Sequence, residues 1–112
     1  MECIFCRIVA GTAAARLIYE DDLIIAFHDI KPAAPVHVLI IPKKHIPSMN
    51  EIGQEDLAAI SRIHNKVQVI ANKLGIAGTG YRLVANCGAD AGQVVPHLHY
   101  HLLGGKKLSL TH

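Results

Sequence analysis

Apolar and polar positions along this chain follow two different periods. Residues 97–103 alternate histidine with leucine or tyrosine, and a period of two predicts a strand with positions i, i+2 and i+4 on one face. His97, His99 and His101 then point one way, while Leu98, Tyr100 and Leu102 point into a core. Residues 54–74 carry the helical period instead. Leu57, Ile60, Ile63, Val67, Ile70 and Leu74 keep that spacing along it. Glu55 and Asp56 in the first turn and Lys73 in the last suit the helix dipole, and Gly75 is a natural stop.

Shorter runs fill in the rest. Residues 3–10 predict a short helix ending at Gly11. Residues 17–20, 23–28 and 36–41 predict strands, the second apolar enough to be buried on both faces and the third stopped by Pro42. Asp21-Asp22 makes a tight turn, residues 31–35 a rigid proline-bounded loop, and residues 81–86 a further strand. The loop at 87–96 contains Gly88 and Gly92. Its glycines serve either a plain turn or a cradle of backbone N–H groups for an anion. Five strands, one long helix and short connections imply an α+β class, with an antiparallel five-stranded sheet, the long helix on one face and a short N-terminal helix.

At 112 residues the chain is expected to be a single domain, residues 1–112. Apolar residues make up 51%, which excludes a disordered chain. The net charge is +2 with no basic run, so no nucleic-acid partner is indicated. The longest apolar runs are far too short to span a bilayer, and the first residues lack a signal-peptide pattern, which favours the cytoplasm. Three cysteines do not suggest a disulfide framework.

The chemistry concentrates in the histidines. Imidazole serves as nucleophile, acid, base or metal ligand near neutral pH. Three on one strand face admit three readings: a polar face only, a zinc site made by His97/His99 or His99/His101 with His37, or nucleophilic catalysis. Cys3-x-x-Cys6 has the spacing of half a zinc site, although a redox pair or two small buried residues fit as well.

Together these segments resemble the histidine triad (HIT) superfamily, and within it the Hint branch of nucleoside phosphoramidases and bacterial HIT proteins. The likeness runs through residues 3–8 (CIFCRI), 27–30 (FHDI), 35–45 (PVHVLIIPKKH), 80–86 (GYRLVAN), Gly92-Gln93 and the triad. The resemblance implies a HIT-like fold, a homodimer, and a hydrolase or nucleotidyl transferase acting at the α-phosphate of AMP-type purine nucleotide conjugates. It implies that His99 is the nucleophile, passing through a covalent nucleotidyl-histidine. His101 would contact a phosphate oxygen, and His97 and His37 would orient the others. Asn86 and the backbone of Gly92, Gln93 and Val94 would hold the phosphate or leaving group. Asp29 would bind the ribose, and Ile4, Phe5, Ile8, Phe27 and Ile30 would flank the base. It further implies a structural zinc on Cys3, Cys6, His45 and His97, with none required for the chemistry. One departure stands out: many Hint-type enzymes carry serine where this chain has Val94, and valine cannot donate a hydrogen bond. That departure keeps open a zinc-stabilised nucleotide-binding module with little turnover.

Overall fold

The computed structural model describes residues 3–109. Helix α1 (Ile4–Ala10) starts at Cys3, whose sulfur accepts the Cys6 N–H, and ends at Gly11 in the left-handed conformation (φ 79°). Strands β1 (Leu17–Glu20), β2 (Ile24–His28) and β3 (Val36–Pro42) follow. Asp21 builds the β1–β2 turn. One oxygen accepts the N–H groups of Leu23 and Ile24, and the other holds the Tyr19 hydroxyl and the Arg62 guanidinium. Helix α2 (Leu57–Lys73), β4 (Tyr81–Ala85) and β5 (Tyr100–Gly104) complete the order. The sheet is antiparallel throughout, in the order β1-β2-β3-β5-β4.

The sheet is buried on both faces, as the apolar β2 predicts. Ile24 and Ala26 of β2 join Val38 and Ile40 of β3 against Ile63, Val67, Ile70 and Ala71 of α2. Their alternate neighbours Ile25, Phe27, Leu39 and Ile41 face the opposite way, onto Cys3 and Phe5 at α1. The long helix therefore covers one face and leaves the other to the short helix and the histidines. At the far end of β5 the backbone runs close to Ile76. A Cβ on Gly104 would stand 2.9 Å from that side chain, so glycine is required there by the approach.

Several boundaries move from their sequence expectations. The long helix begins at Leu57, because residues Gln54–Asp56 form a separate 3₁₀ turn closed by Asp56, whose carboxylate accepts the Gly53 N–H. Leu57 is accordingly 48% exposed, and Ala59 is buried in the first turn instead. The strand at 81–86 ends at Ala85, where its pairing with Tyr100 ends. β3 runs through Pro42, which still pairs with Ile24. The largest change is at the triad. β5 begins at Tyr100, so His97 and His99 precede the ladder. The ladder with β3 ends at Ile40 and Tyr100. Beyond it the Leu98 N–H goes to the Ile46 carbonyl and the His97 ring to the Pro42 carbonyl. Alternation survives this: Leu98, Tyr100 and Leu102 are all in the core against α2.

Candidate active site and metal centre

A cavity of about 350 Å³ opens on the α1 side of the sheet, within the size range of small-molecule sites. Of the residues expected to meet a nucleotide, Ile4, Phe5, Ile8, Phe27, Asp29, Ile30, Val94, His99 and His101 line it. Ile30 and Val94 are each 89% exposed and form its rim. Ala14, Ala15, His28, Leu39 and Val95 also line it and were not anticipated. Leu39 was within reach of the sequence, since it shares a strand face with His37 and Ile41 and pairs with both Phe27 and His101.

Asn86, Gly92 and Gln93 do not line the cavity. The Gly92 N–H bonds to the Ala89 carbonyl and the Gln93 N–H to the Gly88 carbonyl. The Gln93 side chain is a strut, accepting from Gly88 N–H and donating to the Pro47 and Val95 carbonyls. Two of the three N–H groups expected to cradle an anion thus serve the loop itself. Among the described residues no hydrogen bond takes the Val94 N–H, and Val94 is the one of the three on the cavity.

Hydrogen bonds assign the histidine tautomers. Nδ1 of His99 stands 2.7 Å from the His97 carbonyl. A carbonyl only accepts, so Nδ1 carries a proton, and in the neutral ring Nε2 holds the lone pair. The Ala33 N–H donates to Nδ1 of His37 at 2.9 Å, which puts the proton of neutral His37 on Nε2. That N–H faces Nδ1 of His101 at 2.9 Å and Oδ2 of Asp29 at 3.4 Å. His101, accepting at Nδ1, then carries its own proton on Nε2. Burial, with His99 and His37 nearby, lowers the His101 pKa to about 4, so it is neutral at pH 7. Burial also lowers that of His37, against the pull of Asp29. The result is a lone pair on His99 beside an N–H donor on His101, with ring centroids 5.0 Å apart. One nitrogen can attack an electrophile while the other donates to an oxygen attached to it.

His97 turns the other way. It is fully buried, and its Nε2–H donates to the Pro42 carbonyl at 2.9 Å, leaving Nδ1 with a lone pair. That nitrogen stands 3.5 and 3.6 Å from the sulfurs of Cys3 and Cys6 and 3.2 Å from Nδ1 of His45. Cys6 and His45 are 3.1 Å apart. Zinc–sulfur bonds of about 2.3 Å and zinc–nitrogen bonds of about 2.0–2.1 Å give tetrahedral edges of roughly 3.3–3.8 Å. These four of the six edges come within a few tenths of an ångström of that range, all four donor atoms lie within 4.8 Å of one another, and the outward nitrogen of His97 is anchored as ligating imidazoles are. The ring of His97 thus belongs to this cluster, and it is the carbonyl that orients His99.

Asp29, His37 and His101 also gather their donor atoms within 4.8 Å. Here the tautomers oppose a metal. Nδ1 of His37 is committed as an acceptor, so a metal on Nε2 would require an imidazolate or the loss of the Ala33 bond.

A HIT domain family model matches residues 10–108. The chain is 44% identical over 107 residues to the purine nucleoside phosphoramidase of Escherichia coli strain K12, covering 96% of this chain and 90% of that protein. A HIT family hydrolase from Legionella pneumophila Philadelphia 1 has a TM-score of 0.94 at 42% identity, over 98% of each chain. A Zn-bound histidine triad family protein from Mycobacterium smegmatis has a TM-score of 0.82 at 34% identity, over 98% of this chain and 81% of that one. With the fold and nearly its full length in common with these proteins, the chain belongs to the HIT domain family and is an enzyme of it.

Proposed function

We propose that this protein hydrolyses purine nucleoside phosphoramidates or similar AMP-type conjugates through a covalent nucleotidyl-His99 intermediate. The observation that carries this reading is the Nδ1–H of His99 held by the His97 carbonyl on a ring that lines the cavity, which assigns the lone pair of the neutral imidazole to Nε2. Nε2 attacks the α-phosphorus and the phosphorus–nitrogen bond to the amine breaks. His101 donates its Nε2–H to a non-bridging oxygen as charge moves there. His37 acts by fixing the His101 tautomer. The new imidazolium keeps its Nδ1–H on the His97 carbonyl. Water then attacks the same phosphorus, the bond to Nε2 breaks, and the nucleoside monophosphate leaves.

Binding follows the cavity. Ile4, Phe5, Ile8, Phe27 and Ile30 offer apolar walls to the base, and Asp29 offers a carboxylate to the ribose hydroxyls. Val94 brings an N–H but no hydroxyl, so the departing nitrogen draws its proton from water. The relative named a purine nucleoside phosphoramidase supports the substrate class. Hydrolysis of adenosine 5′-phosphoramidate, absent in His99→Ala, tests the reading. Val94 also favours a second one: a nucleotide-binding module with little turnover, in which AMP binds and the phosphoramidate stays intact.

Zinc on Cys3, Cys6, His45 and His97 is part of the proposal, as a structural ion. Four protein ligands close its tetrahedron and leave no position for a reacting water. Bound there, it fastens α1 to the segment after β3 and to the triad. We also propose one domain over residues 1–112, a cytoplasmic location and a homodimer formed through α2 and β4. The open edge of β4 and the exposed Leu57, Val69 and Tyr81 support the pairing. No helix among the described residues is long and apolar enough to cross a membrane.

A further inference from the structure

Cys3 and Cys6 flank an element that serves two sites at once. α1 and its cap contribute only Cys3 and Phe5 to the buried core, while Ile4, Phe5 and Ile8 form a wall of the cavity. The Phe5 ring, between the two cysteines in sequence, packs edge-on to His99 at 5.1 Å and to His97 at 5.8 Å. The two sulfurs lie within 4.8 Å of each other. Cys3 is buried and Cys6 is partly open to solvent. Residues one turn apart bring their Cα atoms into the range of about 4.4–6.8 Å that a disulfide needs.

We propose that Cys6 is an oxidation site and that Cys3 and Cys6 form a thiol switch on the nucleotide cavity, an inference that rests on the nucleotide-binding reading above. A peroxide reacts at the Cys6 sulfur, the more exposed of the two. A sulfur–oxygen bond forms, the oxygen–oxygen bond breaks, Cys6 becomes a sulfenic acid, and the hydroxide or alkoxide that leaves is protonated by solvent to water or an alcohol. The Cys3 thiolate then attacks the Cys6 sulfur, a disulfide forms, and hydroxide leaves and is protonated to water. The two sulfurs can no longer ligate a metal. His45 and His97 alone are too few for a structural zinc site. α1 loses its tie to both, Phe5 is free to shift against His99, and the cavity wall loosens.

The test uses the full chain carrying Cys87→Ser, loaded with zinc and treated with hydrogen peroxide. Mass spectrometry reads the thiols, a chromogenic chelator reads zinc, and calorimetry reads AMP affinity. The switch predicts a peptide with Cys3 joined to Cys6, release of the bound zinc, and AMP affinity lowered about tenfold. Dithiothreitol with zinc restores all three. Cys6→Ser should bind AMP at the lowered affinity before peroxide and show no further change after it. Disulfide formation with unchanged AMP affinity overturns the switch alone, as does peroxide that leaves both thiols intact. Failure of the reduced, zinc-loaded chain to bind AMP overturns the nucleotide reading and the switch with it.

Discussion

Two clusters in this protein each hold a pair of histidines and suit opposite work. Cys3, Cys6, His45 and His97 bring four donor atoms together, and Asp29, His37 and His101 bring three, each within 4.8 Å. Residue type alone does not separate their histidines. The second nitrogen of each imidazole does. The Nε2–H of His97 is spent on the Pro42 carbonyl, which turns a lone pair toward the cysteines. Nδ1 of His37 is spent on the Ala33 N–H, which turns a proton toward His101 and Asp29. A lone pair among thiols suits a cation, and a proton among acceptors suits a relay that fixes a neighbour's tautomer. His99 stands between the two clusters, held by the carbonyl of one and beside the ring of the other.

Breaking the nucleophile should have the largest effect. His99→Ala is expected to cut turnover of an adenosine phosphoramidate by about 10⁴-fold or more, while AMP still binds by calorimetry. Substantial turnover by the variant would mean that Nε2 of His99 is not the attacking atom. Next comes the metal cluster. Cys3→Ser with Cys6→Ser should lose the bound zinc and lower the melting temperature by several degrees, because a site formed only in the folded chain stabilises it. Metal analysis and a thermal scan check both, and an unchanged zinc content would place the ion elsewhere.

His37→Ala sharpens the comparison from the other side. It should leave zinc content intact and lower kcat roughly 10–100-fold, since His101 loses the partner that sets its tautomer. Zinc loss in that variant would mean the two clusters are not separate. The smallest effect is on pH dependence. Unfolded, His101 protonates near its ordinary 6.5, and folded only near about 4. Between those values the unfolded chain binds more protons, so stability falls as pH drops from 6.5 toward 4 and gains nothing further from this group above 6.5. Chemical denaturation across that window checks the direction.

The sequence was legible wherever one face of an element alone decided the outcome. The alternation at 97–103 placed Leu98, Tyr100 and Leu102 in the core, and the helical spacing placed Ile63, Val67 and Ile70 against the sheet. It failed where a remote backbone group set the outcome. The start of β5 depends on Leu98 finding the Ile46 carbonyl, and the start of α2 depends on Asp56 closing a 3₁₀ turn. The anion-cradle reading of 87–96 could not foresee that Gly92 and Gln93 would bond within their own loop. Tautomers were beyond reach for the same reason, since Ala33, Pro42 and the His97 carbonyl act through main-chain atoms common to every residue.

The assignment of His99 as a nucleophile free of metal chemistry is tested most directly by trapping the intermediate. Adenosine 5′-phosphoramidate is mixed with the wild-type protein in the presence of a chelator, quenched on the millisecond scale under alkaline conditions, and digested for mass spectrometry. An adenylyl group on the His99 imidazole, absent from the His99→Ala protein, is the predicted result. Turnover that proceeds with no adduct at His99 would contradict the account.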